Sequence, residues 1–283
     1  MAGRFSRSLE LVRASADVLN RERKLLVFPL LSGLCCLLVA ASFAAPVILS
    51  IQAGQGTGQH AQFGSGFYIG LFVFYLVQYT VIFFFNTALV GAAMTHMNGE
   101  RPTLGDGLAL AVSKLPQIFG YALIAATVGM LLRALQERMG LIGRIVVGML
   151  GLAWTVATFL VVPILAATED GPIEAVKSSA GMLKRTWGEN IIGNAGIHIV
   201  FTLAYVLLAV VFVALFTATS SMHSPGLMIA LMALAIAAVI ALALVQSALQ
   251  GIYAAALYRY VQYGDAGDGF QAGLLEQAFR PKR

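Results

Sequence analysis

The sequence predicts an all-α polytopic membrane protein: six transmembrane helices with three amphipathic elbow helices on the cytoplasmic side. Six long apolar runs carry that prediction, at residues 25–51, 67–93, 117–132, 145–168, 190–219 and 226–258, and none contains Asp, Glu, Lys or Arg. Composition agrees: 59% of the 283 residues are hydrophobic and 11% are charged, against about 25% charged in soluble domains. The third observation is charge placement, since 15 of the 18 Lys and Arg fall in segments that alternate crossings bring to one side. Hydrocarbon cannot satisfy a peptide group, so runs of this kind are expected as helices.

Taken in order, the first run follows a polar lead of 24 residues, too long for the n-region of a signal peptide. The adjacent Cys35 and Cys36 sit within it, where a mutual disulfide would be strained, so they read as small apolar side chains. The second run is long enough to cross a core of about 30 Å with ease. The third, 117–132, covers only about 24 Å as helix and invites a re-entrant alternative, although six spans is the preferred reading. Pro46 and Pro163 are expected to kink the first and fourth spans. Gly143, Gly148, Gly151, Gly193 and Gly196 offer flat surfaces for close helix approach. The sixth run, about 50 Å long as helix, must tilt or leave the membrane. Tyr253, Tyr258, Tyr260 and Trp187 near its ends and its neighbour's read as an interfacial aromatic belt.

The positive-inside rule places both termini in the cytoplasm. Arg133, Arg138 and Arg144 are the exceptions on the outer side, with Arg133 and Arg144 at span ends where side chains can reach the headgroups. The basic balance of +5 is therefore explained by topology, and nucleic acid is not expected as a partner.

An amphipathic segment precedes the first, third and fifth spans. Phe5, Leu9, Val12, Ala16 and Leu19 step by three and four; Leu104, Leu108, Ala111 and Leu115 repeat the step after Pro102; Ile173, Val176, Ala180, Leu183 and Trp187 repeat it after Pro172. Thr103 with Asp106 forms a variant capping box, although Gly105 and Gly107 weaken that helix. Asp170 or Gly171 is placed to cap the third segment, with Pro172 in its first turn. The chain thus reads as one membrane domain, 1–262, of three units at about 1–97, 98–169 and 170–262, with a short cytoplasmic tail at 263–283. Such elbows should lie in the headgroup plane or plug the gap between spans.

Residues 171–190, with Pro172, Ala175, Ser179 and Trp187 in place, resemble the elbow of a broad group of bacterial integral membrane proteins. Residues 5–32 are similar to the start of one uncharacterised multi-pass inner-membrane family in that group, which also includes membrane domains found with some glycerophosphodiester phosphodiesterases. The resemblance implies a bacterial inner-membrane helical protein of unknown biochemistry. The chain carries no soluble phosphodiesterase domain, so that activity is not implied.

Against charge-free spans, the embedded Gln78, Asn86, Asn194, His198, Gln246 and Gln250 stand out as a candidate polar pocket. Gln246 and Gln250 share a helical face, as do Asn194 and His198. Buried amides also hydrogen-bond across helices for about 1 kcal/mol each, and interhelical adhesion of this kind is the simpler reading. Lys177, Lys184 and Arg185 on the third elbow are candidate contacts for anionic headgroups. Glu169 and Asp170 lack a nearby His or Cys for a metal, and the 264–269 stretch lacks calcium-loop spacing and reads as a flexible turn. No catalytic motif is found, so no cofactor and no enzymatic activity are expected. Two roles remain open: a scaffold that organises lipid, a membrane-protein partner or a second copy, and a facilitative carrier or channel for a neutral or amphipathic solute or lipid.

Overall fold

The computed structural model describes residues 13–55, 65–187, 195–220, 225–265 and 267. Among these residues there is helix and no strand. Helix α1 covers 13–21 and a 3-10 turn, Arg23–Leu26, leads into α2, Val27–Gln55. Then follow α3 (Ser65–Met97), α4 (Leu104–Ser113), α5 (Leu115–Arg138), α6 (Leu141–Ala157), α7 (Val161–Ala167), α8 (Pro172–Trp187), α9 (Ala195–Ser220) and α10 (Pro225–Tyr263). Six stretches are long and apolar enough to cross a membrane, and α6 with α7 make one of them, Leu141–Ala167. The six-span reading stands, with α1, α4 and α8 ahead of the first, third and fifth spans.

The third span is longer than its charge-free run. Helix α5 continues through Arg133 to Arg138, about 36 Å for its 24 residues, which removes the need for a re-entrant hairpin. The run stops at Arg133 but the helix does not. Arg133 donates from Nη1 to the Tyr75 hydroxyl at 2.8 Å and from Nε to Glu137 at 3.1 Å, so its head is satisfied at the far end of the bundle.

The fourth span is broken. Pro163 has no N–H to give the carbonyl of Phe159, and the chain makes a tight turn over Thr158–Leu160 before resuming as α7. Val161 N–H closes the turn on the Thr158 carbonyl at 3.1 Å, and Leu160 N–H donates to Ser179 Oγ of α8 at 3.1 Å. By contrast α2 runs unbroken through Pro46.

Helix α3 is the hub, contacting α2, α4, α5, α7 and α10. The core lies at one end of the bundle, the elbow end: the start of α2, residues 88–97 of α3, the start of α5, α7 up to Ala166 and residues 248–258 of α10. Toward the opposite end α9 and the first half of α10 expose Leu207, Val210, Ile229 and Met232, a surface suited to acyl chains.

Helices α1, α4 and α8 each pack against this core, and their buried stripes differ from those expected. Helix α8 buries Ala175, Ser179 and Leu183 while Ile173 is 54% exposed. In α4, Gly107 and Ala111 face the core and Leu115, which begins α5, is exposed. In α1, Ala14, Ser15, Val18 and Leu19 are buried; Phe5, Leu9 and Val12 lie outside the described residues. Small residues win these positions because the elbows approach the spans so closely. A Cβ on Gly107 would stand 2.8 Å from the Ala88 carbonyl oxygen and 2.8 Å from the Phe28 ring, so this glycine is a contact point and not merely a weak spot in the helix. Of the glycines expected to serve close packing, Gly143 presses on Met139, whose Cβ would stand 2.6 Å from a Cβ there, and Gly151 faces Leu132 of α5 at 3.9 Å, whereas Gly148 has nothing within 4 Å of its Cβ direction; Gly193 and the side-chain surroundings of Gly196 lie outside the described set.

Candidate functional site

The elbow end is tied together by polar contacts between segments distant in sequence. Thr103 and Asp106 complete a capping box at the start of α4: Asp106 N–H donates to Thr103 Oγ1 at 3.1 Å, and Thr103 N–H donates to Asp106 Oδ2 at 3.2 Å. Helix α8 begins on Gly171, whose carbonyl accepts from Ala175 N–H at 2.9 Å. Between α4 and α5, Lys114 is buried. Its ammonium donates to the Thr168 carbonyl at 2.7 Å and to Glu169 at 2.6 Å, placing a cation at the C-terminus of α7 where carbonyls are unsatisfied. Glu169, set aside as a metal ligand, is thus one arm of an ion pair with an exposed side chain. His96 Nδ1 of α3 lies 3.7 Å from Glu22 Oε1, joining the first elbow to the second span.

The most developed of these contacts surrounds Arg259 near the end of α10. Its guanidinium donates from Nη1 to Asn98 Oδ1 just past α3, and Nη2 lies 4.0 Å from Asp265 Oδ2. Its Nε is buried and has no hydrogen-bond partner among the described residues. The chain beyond α10 turns back on itself here. Gly264 and Gly267 both have positive φ, +74° and +78°, and Gly267 N–H donates to Asp265 Oδ1 at 3.1 Å. A Cβ on Gly267 would meet the Met97 carbonyl oxygen at 2.6 Å and Arg259 Cζ at 3.2 Å, so only glycine lets this turn press against both. Within the stretch expected to be a flexible turn, Gly264, Asp265 and Gly267 form a clasp over the arginine.

Beside the clasp is a cavity of about 380 Å³ lined by Met94, Asn98, Ala167, Tyr258, Arg259 and Tyr263, from the ends of α3, α7 and α10. Tyr258 is buried, as is Tyr253, whose ring centroid lies 6.1 Å from that of Phe159. Both therefore belong to the core and not to an interfacial belt; the Trp187 side chain lies outside the described ones. A smaller cavity of about 130 Å³ opens toward the far end between α3 and α5, lined by Tyr75, Tyr79, Gly129 and Arg133.

The residues singled out as a polar pocket are spread along the bundle. Gln78 is half-buried in α3, with its Oε1 enclosed and without a hydrogen-bond partner among the described residues. Asn86, also in α3, and Gln246 and Gln250 of α10 are half-buried. The register of the two helices, in which Gly251 faces Leu89 and Val90 and Arg259 meets Asn98, brings Asn86 level with Gln246. Gln78 lies more than two turns further from the elbow end. Asn194 is outside the described residues, and the side chain of His198, in α9, is not among those described. Of the headgroup candidates, Lys177 and Lys184 are exposed on α8, and the Arg185 side chain is outside the described set. Sequence reasoning missed Arg259, Asn98 and Tyr263. The available signal was the pair Gly264 and Gly267 around Asp265, which marks a built turn when read beside a basic span end.

A family model described as a family of unknown function, DUF6159, matches residues 65–270, from the start of α3 to just past the clasp. Helices α1 and α2 lie outside that match. A comparison with curated proteins returns no match.

Proposed function

This chain belongs to the DUF6159 family of unknown function, and we propose that it is a non-enzymatic membrane protein that organises anionic lipid, or a protein partner, around cytoplasmic elbow helices. The observation that carries the reading is the two-faced placement of α8. Ala175, Ser179 and Leu183 bind it rigidly into the core, while Lys177 and Lys184 stand exposed at the span ends, with Arg185 next in sequence. Surface cations held at that level attract anionic headgroups by about 1 kcal/mol each. The bacterial inner membrane as the setting, with both termini in the cytoplasm, rests on the Lys and Arg count and on the resemblance at residues 5–32 and 171–190.

The three-unit organisation, 1–97, 98–169 and 170–262, is proposed with it. When the three elbows are aligned on their apolar steps, Ser15, Gly107 and Ser179 fall at one position, and all are buried. Four residues on, Leu19, Ala111 and Leu183 are buried as well.

A facilitative carrier is the second reading, motivated by the Gln78 Oε1, which has no hydrogen-bond partner among the described residues, and by the break in the fourth span. Broken helices in transporters free backbone groups for substrate. Here Ser179 already occupies the freed Leu160 N–H, which favours the scaffold.

The test is the triple variant Lys177→Gln, Lys184→Gln, Arg185→Gln in mixed bilayers, read as selectivity for spin-labelled phosphatidylglycerol over phosphatidylcholine. Selectivity is expected to fall by about fivefold or more, given about 1 kcal/mol per cation. Unchanged selectivity sinks the headgroup role.

A further inference from the structure

We propose that the cavity at Arg259 is a binding site for a phosphate group, carried in the native setting by a membrane lipid. The inference deepens the lipid-organising reading and rests on it, because it names a stoichiometric site where that reading needs only surface attraction.

The argument starts from the arginine's unused capacity. A guanidinium has five N–H donors in a fixed fork matched to phosphate and carboxylate oxygens. Asn98 takes one of them, and Asp265 at 4.0 Å is too distant for a hydrogen bond. The buried Nε donor has no partner among the described residues, although the residue lines a cavity of about 380 Å³. A buried donor without a partner is unfavourable, more so on a charged group, so an anion that enters the cavity and engages the guanidinium offsets a loss already built into the fold.

The remaining walls fit a lipid phosphate. Tyr258 and Tyr263 bring hydroxyls, Asn98 an amide, and Met94 and Ala167 an apolar flank, all at the ends of spans where a headgroup lies. Basic pockets between spans are a recurrent setting for anionic headgroups. The clasp fits the same role. Gly267 presses on the guanidinium from one side while Asp265, two-thirds exposed, supplies a weak counter-charge that an incoming phosphate displaces.

The experiment uses the full chain in detergent, titrated with short-chain phosphatidic acid, short-chain phosphatidylcholine and inorganic phosphate by microscale thermophoresis. Phosphatidic acid is expected to bind one to one and phosphatidylcholine at least tenfold more weakly. Arg259→Gln should weaken phosphatidic acid binding at least tenfold. Because that change also removes the Asn98 contact, Ala167→Phe carries the test independently: it fills the cavity from an exposed position and should abolish binding without moving the unfolding midpoint. Asp265→Asn removes the competing carboxylate and should tighten binding severalfold, the opposite of what a purely structural clasp would do. Inorganic phosphate saturating as readily as the lipid would keep the site and make the free ion its ligand. Wild-type binding by both Arg259→Gln and Ala167→Phe, or no saturable binding by the wild type, overturns the proposal. Should that happen while the α8 triple variant still loses headgroup selectivity, only the pocket falls; the reverse result removes the surface role and leaves the pocket.

Discussion

Gly105 and Gly107 are two residues apart in one short helix, and the structure assigns them opposite roles. The nearest atom to a Cβ at 105 is Thr103 Oγ1 at 3.7 Å, an ordinary contact, so alanine there fits without strain. Replacing glycine in a helix gains about 0.5–1 kcal/mol, and Gly105→Ala should raise the unfolding midpoint slightly. At 107 the same methyl meets the Ala88 carbonyl oxygen and the Phe28 ring at 2.8 Å each. Overpacking of that kind costs about 1–3 kcal/mol and exceeds the propensity gain, so Gly107→Ala should lower the midpoint. Thermal unfolding of the purified variants decides it, and a stabilised Gly107→Ala would contradict the tight α3–α4 contact. From sequence alone both glycines look like the same propensity cost, because a contact between α4 and α3 is invisible to a reading of local pattern. The same limit hid Arg259: its cavity is assembled from the ends of three helices, and only Gly264, Asp265 and Gly267 hint at it from one place in the chain.

At the scale of elements, what was legible was what a continuous apolar run can encode. The existence and order of six spans follow from the charge-free stretches, and the capping box at Thr103 and Asp106 is read directly from four residues. Helix ends were less legible where a charged side chain finds a local partner, as Arg133 does with Tyr75 and Glu137, since the run ends there and the helix continues. The faces of the elbows were shifted because apolar steps mark the largest side chains, whereas close approach selects the smallest. Ser179 is the clearest case: a polar residue between Val176 and Leu183, yet fully buried. Its hydroxyl takes the Leu160 N–H left over at the break made by Pro163. Ser179→Ala should therefore strand a buried backbone donor and cost about 1–3 kcal/mol, whereas Ser178→Ala, one position round the helix and half-buried, should cost less. Equal effects of the two substitutions on unfolding would remove Ser179 from its place as the filler of the broken span.

For the molecule as a whole, the elbows and the core share one end, and this makes sidedness a single testable property. The start of α2, the end of α3, the start of α5 and the ends of α7 and α10 meet there through Glu22 and His96, Lys114 and Glu169, and Arg259 and Asn98. Six crossings return the chain to the side on which it began, so the exposed Lys184 on α8 and Gly264 and Asp265 just past α10 belong to one face, while Met139 and Gly140, between α5 and α6, belong to the other. Both native cysteines are half-buried within α2, so a Cys-free background made with Cys35→Ala and Cys36→Ala is a mild change. On that background, Lys184→Cys should react with a membrane-impermeant maleimide only from the cytoplasmic side, and Gly140→Cys only from the opposite side. The sign follows from charge: 15 of the 18 Lys and Arg fall in sequence segments that six crossings assign to one side, and cations resist translocation. The three arginines of the far end do not reverse this, because Arg133 is already paired with the Glu137 carboxylate of its own helix and the Tyr75 hydroxyl of α3. Labelling of both sites from one side would break the even number of crossings. An inverted pattern would keep the fold but place Arg259 and the cations of α8 on the outer face, where the headgroups they are proposed to meet belong to the other leaflet.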